Sequence, residues 1–154
     1  MLGVDPGTTN FAFTVLNART QEAVYGNVVN LTPALCTYRS IGVAVCLLMD
    51  QLLERFKFCG VCVEMQLREH MLAVMQSVVV WSLMRSVDVD VVPASAWRRR
   101  VGFRSTGNYN KNKAQSIVHL RKAFNIYTEN HNVAESTLIA IGYALSKGLV
   151  EKPV

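Results

Sequence analysis

At 154 residues, 51% of them hydrophobic, the chain is long enough to bury a full core and is read as a single domain over 1–154. No apolar run approaches the roughly 20 residues that span a membrane, and Met1 leads at once into an apolar segment without a basic leader, so the expectation is a soluble, intracellular protein. The net charge of +5 is unevenly spread: from Val91 to Thr128 there are eight Lys and Arg and no acid, which leaves the remainder at −3 and marks a face for a polyanion.

In chain order, Leu2 to Val4 reads as a buried strand ending at Asp5, where Pro6-Gly7 forces a turn. An acid at a strand end beside a glycine is placed to hold a metal or face a phosphate, and it suits a plain turn equally well. Phe11 to Leu16 gives a second strand, Asn17 to Thr20 a turn, and Glu22 to Leu31 a third strand in hairpin order. From Tyr38 to Phe58, apolar residues at Tyr38, Ile41, Val45, Leu48, Leu52 and Phe56 recur at helical spacing on one face. Gly60 ends that helix, and Val61-Cys62-Val63 is a short buried strand leading into Glu64.

A second helix is predicted from about Arg68 to Ser86. It is apolar nearly all round, so it is either wholly buried or used in a subunit interface. Asp88 to Val92 is a further strand closed by Pro93, and Ala94 to Val101 a short helix. Gly102 to Asn110 is a loop, Asn112 to Phe124 a helix, and Asn132 to Lys147 the last helix, with Gly148 and Pro153 beyond. Hairpin strands followed by alternating helices and strands predict an α/β fold with a mixed sheet.

The cysteines are Cys36, Cys46, Cys59 and Cys62. Cys59 and Cys62 have zinc-ligand spacing, but Cys36 and Cys46 do not form a second pair, so core cysteines are expected.

Three acids fall at element ends that can converge: Asp5, Glu64 and Glu135. If strand one neighbours the strand after the first crossover, Asp5 and Glu64 lie side by side. Carboxylates that close repel unless a hard divalent cation lies between them. Two such ions about 4 Å apart would clamp the attacking and leaving oxygens of a phosphodiester.

The segments Leu-Gly-Val-Asp5-Pro-Gly, Val-Cys-Val-Glu64-Met-Gln, Asn-Lys113-Ala-Gln and His-Asn-Val-Ala-Glu135-Ser, in that order, resemble the RuvC family of Holliday junction resolvases. The versions carried by large DNA viruses, related to the poxvirus resolvases, are the closest in flavour. The resemblance runs from residue 1 to about 147. It implies a ribonuclease-H-like mixed five-stranded sheet flanked by helices and a homodimer, here assigned to the helix near 68–86. It also implies endonucleolytic, magnesium-dependent paired nicking of four-way DNA junctions in recombination or viral concatemer processing, with two Mg2+ ions expected and Mn2+ as a substitute. A cytoplasmic or viral replication site, or the host nucleus, would be the place of work. On this resemblance Asp5, Glu64 and Glu135 are metal ligands, and Lys113 stands near the scissile phosphate with Lys111 as second candidate.

One position departs from the family pattern. Two acids three apart are usual in the last helix, sometimes with histidine first, and here Asn132 precedes Glu135. Asn132 offers a carbonyl oxygen without charge, or is the helix N-cap in a capping-box arrangement with Glu135. His131 is a further candidate ligand or base. The weakened site leaves open a junction-binding protein that does not cleave.

Arg98, Arg99, Arg100 and Arg104, with Trp97, Phe103 and Tyr109 interleaved, form a candidate DNA-contacting stretch with Lys111 and Lys113; Arg68, near Glu64, is a further phosphate contact. The plainer account is a solvated face with Trp97 and Phe103 packed inward. A nuclease for RNA or other branched DNA fits the same residues. Asp5-Pro-Gly-Thr-Thr-Asn10 is also similar to the phosphate loop of the actin and heat-shock-chaperone ATPases, but those need two such domains and a second loop that this chain lacks.

Overall fold

The structure, a computed structural model, describes residues 1–34 and 38–150 apart from the Tyr38 side chain; Cys36 and Pro153 lie outside the described residues. Strands β1 (Leu2–Pro6), β2 (Phe11–Asn17) and β3 (Glu22–Val29) come first, then α1 (Tyr38–Phe56), β4 (Gly60–Glu64), α2 (Glu69–Met84) and β5 (Asp88–Val92). Helices α3 (Ala94–Arg100), α4 (Tyr109–Phe124) and α5 (His131–Ser146) follow. The five-stranded sheet has the order β3-β2-β1-β4-β5. Its hairpin strands are antiparallel, while β1, β4 and β5 run parallel through helical crossovers. The expected mixed α/β sheet is present, with β1 and β4 adjacent.

Strand pleat divides the core in two, because successive side chains point to opposite faces. Leu2, Val4, Phe11, Phe13, Val15, Val61 and Val63 pack with Ile41, Val45 and Met49 of α1 and Val74, Val78 and Trp81 of α2. Leu16, Cys62 and Val92 face the other way, onto Trp97, Leu120 and the α5 residues Leu138, Ile139 and Tyr143. Cys62 is fully buried and its thiol is pushed up to about 12, chiefly by burial, whereas Cys59 is exposed and so is not a core residue.

Helix α5 lies directly over the sheet centre because Gly3 permits it. A Cβ at Gly3 would stand 2.6 Å from the Ala140 backbone nitrogen and strike the Ser136 carbonyl oxygen. Thr14, cross-strand from Gly3, joins Ser136 Oγ at 2.8 Å and Thr137 Oγ1 at 3.0 Å, so a buried hydroxyl seam fixes the helix in register.

The helix buried almost all round is α5, with the sheet below it and α3 and α4 beside it. The sequence pointed to α2 for that property. Helix α2 instead buries one side and leaves Val80, Leu83 and Met84 exposed, which excludes the fully buried alternative. Asp50 of α1 ties the pair together, accepting from Trp81 Nε1 at 2.9 Å and from Arg85 Nε at 3.0 Å.

Two helix starts precede the predicted ones for one reason. Asn108 accepts from the Lys111 backbone N–H at 3.1 Å, so α4 begins at Tyr109 rather than Asn112. Asn130 accepts from the backbone N–H groups of Asn132 (2.9 Å) and Val133 (3.3 Å), so α5 begins at His131 and its N-cap is Asn130, not Asn132. No helix among the described residues is long and apolar enough to cross a membrane.

Candidate active site

Val4 is registered with Val63 across the parallel β1–β4 pair, so the next residues, Asp5 and Glu64, stand side by side at the strand ends. The pleat that turns Val4 and Val63 towards α1 and α2 turns Asp5 and Glu64 towards α5. There Glu135, one helical turn before Leu138, faces them from a buried position. The turn after Asp5 is tight: Gly7 N–H donates to the Asp5 carbonyl at 3.0 Å, and a Cβ at Gly7 would stand 2.6 Å from the Asn10 carbonyl oxygen.

Three carboxylates in one low-dielectric corner push each other towards the neutral form. Asp5 is raised to about 8, first by burial and then by Glu64 and Glu135, with Lys113 and Arg98 pulling the other way. Glu64 and Glu135 are also raised, each chiefly by burial. Glu64 accepts from Trp97 Nε1 at 2.6 Å and from Gln66 Nε2 at 3.2 Å. Asp5 and Glu135 have no side-chain hydrogen bond or ion pair among the described residues, although both are largely buried.

These hard oxygen donors suit a Mg2+- or Mn2+-type cation, which would neutralise the crowding and satisfy the two carboxylates that lack donors. Among the described residues, no three His, Cys, Asp or Glu side chains are gathered tightly enough to ligate one ion as they stand. The fit lies in the chemistry of the donors, and the backbone already brings them together.

Lys113, in the first turns of α4, reaches across to α5. Its Nζ lies 3.1 Å from His131 Nε2, donates to Asn132 Oδ1 at 3.2 Å, and stands 4.8 Å from the centre of the Tyr109 ring. His131 is held below the ordinary histidine range by burial and then by Lys113, which favours a neutral ring whose Nε2 accepts. Asn132 is itself buried. Its carboxamide is turned to Lys113 and caps nothing.

The three consecutive arginines differ in exposure and surroundings. Arg98 stacks over Trp97 at 5.1 Å and over Phe103 at 5.9 Å, its Nε is buried without a partner, and its charge reaches all three carboxylates. Arg99 is exposed, whereas Arg100 is half-buried with Nη1 unpartnered. Trp97 and Phe103 pack inward, 1% and 7% exposed, so of the interleaved aromatics only Tyr109 presents its ring to solvent. Arg68, Arg104 and Lys111 are exposed.

Neither family sequence models nor curated protein sequences match the chain. Solved structures do. The Thermus thermophilus RuvC structure overlays at a TM-score of 0.75, covering 100% of both chains at 18% identity. The fold is that of RuvC. Fowlpox virus resolvase in complex with substrate Holliday junction DNA overlays at 0.64, with 19% identity, covering 94% of this chain and 98% of that one. The yeast mitochondrial Holliday junction resolvase overlays at 0.62, with 19% identity, over 96% and 80% of the two chains.

On this RuvC fold the sequence reading missed two partners of Glu64. Gln66 was legible as a near neighbour, two residues along. Trp97 lies 33 residues away, and no local pattern announces that its indole N–H meets a carboxylate.

Proposed function

We propose that this protein is a divalent-metal-dependent endonuclease that resolves four-way DNA junctions by paired symmetric nicks. The observation that carries the reading is the convergence of Asp5, Glu64 and Glu135 at one sheet end, two of them without a donor and Asp5 pushed up to about 8. Its RuvC-like fold adds weight, because the solved neighbours are named for Holliday junctions. Asp5, Glu64 and Glu135 would hold Mg2+, two ions being expected, with Asn132 Oδ1 as a neutral fourth donor. Bound there, the cation supplies Lewis acidity at the phosphodiester. Lys113 stabilises charge developing on the phosphate, Arg98 adds its charge beside the carboxylates, and the exposed Arg99, Arg104, Lys111 and Arg68 hold the DNA backbone.

Paired nicks need two sites, hence a second copy of this chain. Its seat is the outer face of α1 and α2, where Val43, Leu47, Val80, Leu83 and Met84 are exposed beside a groove of about 550 Å³ between the two helices. A second reading, binding without cutting, is favoured by one observation: the fourth donor is the uncharged Asn132, already engaged by Lys113.

The deciding experiment incubates the protein and Mg2+ with labelled four-way junction, duplex and flap. Symmetric nicks in the junction alone support resolution. Cutting of flaps would replace the substrate, and binding without cleavage would establish the second reading.

A further inference from the structure

Glu64 is held by a side chain that belongs to the basic helix. Trp97 of α3 is 1% exposed, and its Nε1 donates to Glu64 Oε2 at 2.6 Å, a short charge-assisted bond. Gln66 Nε2 takes the other oxygen at 3.2 Å. Each carboxylate oxygen therefore spends one lone pair on a fixed donor and keeps another uncommitted. The face of the same indole carries Arg98, whose guanidinium lies 5.1 Å from the ring and whose Nε has no partner. One rigid ring thus aims an anion at its edge and a cation over its face, both towards Asp5 and Glu135.

The other tryptophan shows what a purely structural indole does here. Trp81 Nε1 also meets a carboxylate, that of Asp50, but this group is already paired with Arg85 and links α1 to α2 away from the site. Glu64 has no ion pair among the described residues; its fixed partners are the indole and the carboxamide.

We propose that Trp97 is a positioning residue for the reaction, fixing the Glu64 carboxylate for cation binding and seating Arg98 beside it. The proposal rests on the reading of Glu64 as a metal ligand. Because Trp97 opens the Trp97-Arg98-Arg99-Arg100 run, the helix that contacts DNA is also the one that orients the ligand.

The test is Trp97→Phe, which keeps an aromatic ring in the core and removes the donor. Outer donors of this kind contribute about 10- to 100-fold to metal affinity or activity. Trp97→Phe should therefore weaken Mn2+ binding by about that factor in calorimetry and slow junction cleavage similarly, with junction Kd within about twofold. Excess Mn2+ should restore part of the rate. A structural readout runs in parallel: the wild-type protein has two indole N–H resonances, of which Trp97's should shift on adding Mg2+ and in Glu64→Gln, while Trp81's stays fixed. This measurement needs no Trp97 variant and so survives a failure of that variant to fold. A Trp97→Phe protein that binds Mn2+ and cuts as the wild type does, or an indole signal indifferent to Glu64→Gln, overturns the proposal. A wild-type protein that neither binds Mn2+ nor cuts would instead sink the nuclease reading itself.

Discussion

Lys113 Nζ lies 3.2 Å from Asn132 Oδ1, joining the first turns of α4 and α5 beside the carboxylate site. The ammonium is oriented by neutral acceptors, Asn132 and His131, and forms no ion pair among the described residues. Its charge remains available to Asp5 and Glu135, where it opposes the rise of both.

Asn132→Asp places a carboxylate where that neutral oxygen sits. An extra charged ligand should raise Mn2+ affinity about tenfold or more, the scale set by ligand charge in hard-cation sites. Calorimetric titration measures this, and the cleavage assay should show a faster enzyme. Unchanged affinity would mean that Lys113 absorbs the new charge as an ion pair.

Glu64→Gln removes a ligand charge but keeps most of the shape. Junction cleavage should fall below detection in a gel assay, while junction affinity in Ca2+ or EDTA stays within about threefold, since phosphate contacts elsewhere carry it. A large loss of affinity would give Glu64 a binding role as well.

The pH dependence follows from Asp5. Its folded value, about 8, lies above the ordinary 3.8, so the folded protein binds this proton more tightly than the unfolded chain does. That stability is fully present below pH 3.8 and is lost as pH rises towards 8. Glu64 and Glu135 shift in the same direction. EDTA-treated protein should therefore melt lower at pH 8 than at pH 5. Asp5→Asn should recover roughly 1–3 kcal/mol at pH 8, a few degrees in Tm, while abolishing cleavage. A flat calorimetric Tm profile would contradict the burial of this site.

The arginine run should separate into distinct phenotypes. Arg99→Ala, at an exposed position, should weaken junction binding and lower the slope of log K against log salt by about one. Arg100→Ala, where part of the guanidinium is buried, should shift thermal stability more than the salt slope. An unchanged slope for Arg99→Ala would make it a solvated surface residue.

Leu83→Glu with Met84→Glu places charge on the exposed face of α2. Sedimentation should then show a monomer at concentrations where the wild type is a dimer, with nicks no longer paired. A wild type that sediments as a monomer would remove α2 as the interface.

Asp5 and Glu64 were legible from the chain because a short apolar strand ending in an acid is a local pattern, and alternation alone settles which face that acid takes. The succession of elements predicted a mixed sheet with crossovers, while the adjacency of β1 and β4 entered only as a condition, which the strand order meets. The starts of α4 and α5 were not legible, because Asn108 and Asn130 displace Asn112 and Asn132 through side-chain bonds whose geometry, not composition, decides them. The assignment of burial between α2 and α5 was likewise missed. Both helices are apolar on several sides, and only packing reveals that Gly3 and the Thr14 seam seat α5 over the sheet while α2 keeps an open face. Local sequence determined which side chains exist and which face each presents. The tertiary fold alone decided that Trp97 meets Glu64 and Lys113 meets Asn132, because hydrogen bonds between side chains on different elements depend on how whole helices dock.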